Sequence, residues 1–212
     1  MTRAMITVTS LRQMLADTLP ILEATLPSLN GVQLVVTDGN IYATATDRYI
    51  AIVERLSVSD MSDKRRLKAF LSAPQLRMLG AWLRHVGPRR GSVLVSITDS
   101  NVRIDPDGDN PLVLPIARDE FPDVVALVDK HWQASRFAPD KQQPHLFSPC
   151  LVSHIKDAEV IAVGGEMEPL LLRTRDERLA GMVMPMRPSS AGELTVSAVR
   201  EAYSDLLPKE KP

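Results

Sequence analysis

The residues with the chemistry for catalysis or metal binding are few, and their spacing does not assemble them. The histidines His85, His131, His145 and His154 have no metal-ligand spacing with one another, and no H-E-x-x-H pair would place two imidazoles on one helical face. A lone cysteine, Cys150, excludes an intramolecular disulfide and a Cys-rich metal site; a small buried apolar residue is the plainer reading. There is no Gly-rich phosphate loop and no G-x-S-x-G elbow, and Gly164-Gly165 reads as a turn. Asp38, Asp47, Asp99 and Asp176 all fall at strand corners, where turn and capping hydrogen bonds explain them better than acid–base work. The sequence therefore predicts no enzyme, no metal and no cofactor. Arg77 and Arg84 lie off the apolar face of a predicted helix. The run Lys64-Arg65-Arg66 with Lys68 is read as a solvated face.

The elements that must position these residues repeat along the chain. Ser10 is expected to cap a helix carrying Leu11, Met14, Leu15, Leu19 and Leu22, with Pro20 kinking it and Pro27 ending it. Leu29 to Val53 then reads as a three-strand meander, Val32–Val36, Ile41–Ala45 and Tyr49–Val53, with Asp38-Gly39 as a hairpin turn. Residues 57–66 are polar and read as a loop. Leu67–Leu71 is a strand, and Ala73-Pro74 opens a second helix with Leu76, Leu79, Leu83 and Val86 on one face. Val93–Ile97 and Val102–Ile104 flank Thr98-Asp99-Ser100-Asn101, and Pro111–Ile116 is another strand. VQLVVTDGNIYA and VLVSITDSNVRI are thus two copies of strand, T-D-x-N turn and strand, each after a helix. A degenerate third copy has a helix at Pro149–Ala158 and strands at Glu159–Gly165, Pro169–Arg173 and Leu179–Met186. Between them, 129–145 is polar, with a short strand possible at Trp132–Phe137.

The expected fold class is α+β, built from repeated helix-plus-meander units. Residues 1–128 would hold two units, 129–188 a half domain, and 189–212 a linker plus a short amphipathic helix. At 212 residues with a net charge of -1, the chain is no polycation, so any nucleic-acid role must use a local basic surface. No apolar run reaches membrane-span length and no signal-peptide pattern opens the chain, so a cytoplasmic protein without a membrane partner is expected.

Four stretches, in order, carry a resemblance. Ala45-Thr46-Asp47-Arg48-Tyr49 resembles the A-T-D-[RG]-[HFY]-R-L-A-V corner of the bacterial replicative sliding clamp, the β subunit of DNA polymerase III. Upstream, Pro27-Ser28-Leu29-Asn30-Gly31-Val32 is similar to that family's P-x-L-x-G-V segment. Phe121-Pro122-Asp123 is similar to its F-P-D-Y, and Met182-Val183-Met184-Pro185-Met186-Arg187 resembles its V-V-M-P-M-R end. The resemblance covers residues 5–188. It implies a ring whose helices line a central hole around duplex DNA, a DNA polymerase tethered by a short peptide, and a clamp loader. Arg12, Arg77, Arg84, Arg89, Arg90 and Lys156 would then face DNA. The partner-peptide pocket, carried over by position, would use Leu29, Gly31, Thr46, Arg48, Tyr49, Ala51, Met184, Pro185, Met186 and Arg187. It would accept motifs with a glutamine and a Leu/Phe end.

Two departures shape the expectation. Ile50 and Ala51 stand where the family has Arg-Leu, which makes that wall shallower. Only half the units of a clamp subunit are visible, so a homo-oligomeric ring, whether of four copies or a dimer, competes with a non-ring assembly. The implied function is a processivity factor of phage or prophage type. The alternative is a clamp-fold interaction protein, a decoy or inhibitor of a host clamp or its partners, that does not encircle DNA.

Overall fold

The computed structural model describes residues 1–37, 39–62, 66–86, 91–106, 110–117, 120–134, 153, 155, 157–163 and 169–185. The meander forms as expected: β2 (Gly31–Thr37), β3 (Asn40–Thr46) and β4 (Ile50–Leu56) pair antiparallel in sequence order. Gly39 takes φ 78 in the β2–β3 turn, a conformation that costs glycine nothing. β6 (Leu67–Ser72) pairs on the far side of β2. On the near side β4 pairs with β12 (Leu179–Val183), followed outward by β11 (Leu170–Thr174) and β10 (Ala158–Val163). The seven-stranded order is therefore β10-β11-β12-β4-β3-β2-β6, and the late strands of the chain extend the sheet begun by the early ones.

The second copy of the T-D-x-N hairpin, β7 (Ser92–Ile97) and β8 (Asn101–Asp105), builds a different sheet. Its order is β5-β1-β7-β8-β9, with β5 (Val58–Met61), β1 (Thr2–Thr7) and β9 (Leu112–Pro115). Helices α1 (Val8–Thr18) and α2 (Ala73–Val86) pack on each other and on these sheets. One apolar cluster runs through both sheets and both helices, from Ile6 and Val93 to Val32 and Leu172, so the two hairpin units share a core.

Several local expectations change. Thr7 caps α1, its Oγ1 accepting the Ser10 N–H at 3.1 Å, while Ser10 is buried and accepts the Ser57 N–H at 3.0 Å. Pro20 sits in a 3₁₀ turn, Leu19–Ile21, just past the end of α1, where its missing N–H breaks nothing. The expected loop at 57–66 contains β5, which pairs with the unforeseen β1. Neither strand alternates strongly enough to announce itself; β5 reads Val-Ser-Asp-Met. Trp132 lies in a third helix, α3 (Val124–Ala134), and not in a strand. The helix expected at 149–158 falls largely outside the described residues, and Ala158 already belongs to β10.

Candidate functional site

Strand alternation decides what the seven-stranded sheet offers on each face. Ile50, Ile52, Leu170, Leu172, Leu179 and Val183 point to the main core. Ala51, Leu171 and Met182 point the other way and form a separate small cluster. Register aligns Leu171, Met182, Ala51 and Thr46 in one row across β11, β12, β4 and β3. That row is the floor of the site.

The corner between β3 and β4 rises beside it. The Thr46 hydroxyl donates to the Ile50 carbonyl at 2.8 Å. Asp47 Oδ1 accepts the N–H groups of Tyr49 (2.8 Å) and Ile50 (2.7 Å), which makes this aspartate a turn builder as expected. The tight corner puts Arg48 at φ 84, an uncommon conformation for a residue with a Cβ. Its guanidinium meets Glu23 at 3.0 Å and lies 5.6 Å from the centre of the Tyr49 ring. The Thr25 N–H and hydroxyl, and then Arg48, hold the Glu23 carboxyl below the usual range. Met184 N–H donates to the Tyr49 carbonyl at 2.7 Å, so the Met184-Pro185 segment runs alongside the corner.

α3 supplies the opposite wall. Val124 and Val128 are buried on the small cluster at i and i+4, with Trp132 half-buried at i+8. Asp123 caps the helix, accepting the Ala126 N–H at 3.2 Å and binding Lys68 Nζ at 3.0 Å. The Lys68 ammonium and the Ala126 N–H hold the Asp123 carboxyl below its ordinary pKa. Phe121, just before it, sits 5.4 Å from the Phe70 ring, centre to centre.

Between corner and helix lies a groove of about 290 Å³. Leu29, Thr46, Arg48, Tyr49, Ala51 and Met184, all expected at a partner pocket, line it. Gly31 does not: a Cβ there would overlap the Leu71 carbonyl oxygen and the Phe70 ring, so Gly31 permits a close backbone approach beneath the site. Pro185 follows Met184 and is half-buried, but it is not among the lining residues. Met186 and Arg187 lie outside the described residues. Sequence reasoning missed Ile50, Pro122, Val124, Leu127, His131 and Met182. The four-residue spacing of Val124, Val128 and Trp132 was the available signal.

The expected cationic residues fall on a different surface. Arg77 and Arg84 are exposed on α2, two turns apart and so on one face. Arg12 on α1 borders a second groove with Arg84, and its Nη2 donates to the Leu83 carbonyl at 2.7 Å. α2 contains no carboxylate, and the one carboxylate of α1, Asp17, is buried. Arg89, Arg90 and Lys156 lie outside the described residues.

Asp17 belongs to a buried ionic node that holds the late strands in place. Arg178, in the β11–β12 turn, binds Asp17 Oδ2 at 2.7 Å and also Glu54 Oε1 on β4. Burial pushes the Glu54 carboxyl up to about 7, with Arg178 opposing the rise. Among the described residues no group of three or more His, Cys, Asp and Glu could hold a metal ion, and no helix is long and apolar enough to cross a membrane.

No protein-family model matches the sequence, and no curated protein matches it. Solved structures do. A DNA polymerase sliding clamp from Bacillus subtilis superposes with a TM-score of 0.66 at 18% identity, over 88% of this chain and 64% of that one. The DNA polymerase III subunit beta from Pseudomonas aeruginosa gives 0.67 at 14%, over 88% and 67%. The beta subunit from Thermotoga maritima gives 0.66 at 12%, over 99% and 68%. The fold is that of the bacterial sliding clamps. The chain spans about two thirds of the length of each of these clamps. Within the clamp fold, the groove lies on the face of the seven-stranded sheet turned away from the main core, and α1 and α2 pack into that core.

Proposed function

We propose that this protein is a DNA sliding clamp, a processivity factor that surrounds duplex DNA as a homo-oligomeric ring and holds a polymerase through a peptide in the groove. The observation that carries the reading is the convergence of two distant stretches. The Thr46–Tyr49 corner meets Met182 at the end of β12 and Met184 just past it, and together they line one apolar groove. The charge distribution supports it. α1 and α2 carry Arg12, Arg77 and Arg84, and their one carboxylate is already engaged by Arg178. A lining of that kind attracts phosphates without fixing register, which is what sliding requires. No reaction is assigned to it: the work is topological, in the cytoplasm, and loading would need a clamp loader.

One observation favours the interaction-protein reading. Arg12 is tied to a backbone carbonyl, which leaves Arg77 and Arg84 as the exposed arginines on α1 and α2. Light scattering at micromolar concentration, followed by retention on nicked circular DNA, separates the two. A discrete oligomer retained on circles and lost from linear DNA is expected. A monomer at every concentration, with no retention, would replace the ring with the interaction protein. For DNA binding, the double variant Arg77→Gln/Arg84→Gln should lower the log–log salt slope by about 2, at roughly 0.9 per phosphate contact.

A further inference from the structure

α1 and α2 leave a second groove, of about 270 Å³, beside Arg12 and Arg84. Its floor is apolar, formed by Leu15, Leu83 and Gly80, with Leu19 36% exposed at the edge. Gly80 is not needed to let the helices touch. A Cβ on it would meet only Leu15 Cδ1, at 3.6 Å, an ordinary contact. Glycine inside a helix is destabilising relative to alanine, so α2 gives up stability where alanine would fit, and the floor stays open.

The two arginines set the polarity of the groove. Arg12 Nη2 donates to the Leu83 carbonyl, one of the last four carbonyls of α2, which have no partner within the helix. That bond fixes the guanidinium at the groove with one of its five N–H donors. Arg84 is exposed, and no carboxylate is among the described lining residues. A phosphate would satisfy the arginines and leave the leucine floor in water. A short segment with an acid beside bulky apolar side chains satisfies both.

This chain carries such a segment. Asp205-Leu206-Leu207 lies in the tail that follows Pro185, the last described residue. The twenty residues from Pro185 to Asp205 reach up to about 65 Å when extended, against a radius of gyration of about 17 Å for a compact chain of this length. The groove at Arg48 is the weaker fit, because that guanidinium already holds Glu23 at 3.0 Å. We propose that the tail docks between α1 and α2 of its own chain. Leu206 and Leu207 pack on Leu15, Leu83 and Gly80, and the Asp205 carboxylate meets Arg12 and Arg84. Where the clamp reading holds, this face meets DNA, and the docked tail is an autoinhibitory contact that DNA must displace.

The test uses the full chain with Cys150→Ser and asks which introduced cysteine the tail reaches. Ala16 is exposed and borders the groove. Ala16→Cys/Leu207→Cys should form an intramolecular disulfide at least about tenfold faster than Leu127→Cys/Leu207→Cys, which reports the other groove. Adding Asp205→Asn should slow the first pair about two- to fivefold, the range of an exposed ion pair. Equal rates, a faster Leu127 pair, or a disulfide formed only between chains would overturn the docking. In a second measurement, Leu206→Ser/Leu207→Ser in the otherwise unaltered chain should tighten binding to duplex DNA about threefold or more, as when a face free in a third of molecules becomes free in all. The expected disulfide rates with unchanged DNA affinity would uphold the docking and count against the clamp reading of α1 and α2.

Discussion

Glu54→Gln should flatten part of the pH dependence of stability. Glu54 has no exposed surface, and its carboxyl moves from 4.5 to about 7 because burial disfavours the charge more than Arg178 restores it. The unfolded chain releases this proton near pH 4.5 and the folded chain near pH 7. Between those values the unfolded state binds fewer protons, so stability is full below pH 4.5 and falls as pH rises through 7. At about 1.4 kcal/mol per pH unit, the fall amounts to about 3 kcal/mol. Glutamine keeps the shape and cannot ionise, and Arg178 retains Asp17 at 2.7 Å. Urea unfolding at half-unit steps should therefore show the variant gaining on wild type by about 3 kcal/mol between pH 4.5 and 7.5. The gain should level off above that range. Parallel curves, or a wild type that gains on the variant as pH rises, would refute the reasoning, because Arg178 would then be holding Glu54 ionised.

Two further predictions follow from backbone geometry. Gly31→Ala should cost about 1–3 kcal/mol in urea unfolding, since its Cβ would meet the Leu71 carbonyl and the Phe70 ring; an unchanged midpoint would contradict the close approach. Arg48→Gly should be more stable than Arg48→Ala by about 1 kcal/mol, because both lose the Glu23 pair but only alanine keeps a Cβ at φ 84. Equal stabilities would mean that the corner relaxes out of that conformation.

Much of the site was legible because it is local. Thr46-Asp47-Arg48-Tyr49 specifies its own corner through hydrogen bonds that span at most four residues. Leu29 and Ala51 were placed there by position in the family resemblance; Leu29 ends the 3₁₀ turn Pro27–Leu29, and Ala51 lies on β4. α3 was hidden by its neighbours in sequence. Pro122-Asp123 before it reads as a break, and a polar stretch follows, so only the spacing of Val124, Val128 and Trp132 marked a helix. Glu54 was hidden differently. It shares the strand face of Ile50, Ile52 and Leu56, where apolar side chains belong, and a charge there reads as an irregularity. Its partner, Arg178, is in the charged β11–β12 turn, 124 residues further along the chain.

The sequence by itself determined the periodic elements: the meander, the paired T-D-x-N hairpins, α2 and the late strands. Each depends on side-chain period and turn chemistry within a few residues. Only the tertiary structure decided that the two hairpins enter different sheets and that β12 adds to β4. It also decided that a short helix seats itself on the row Leu171, Met182, Ala51. Pairing partners and buried faces depend on which distant surfaces cover one another. That competition is settled by total apolar burial and charge neutralisation across the chain, as in the Asp17–Arg178–Glu54 node, and leaves no local pattern to read.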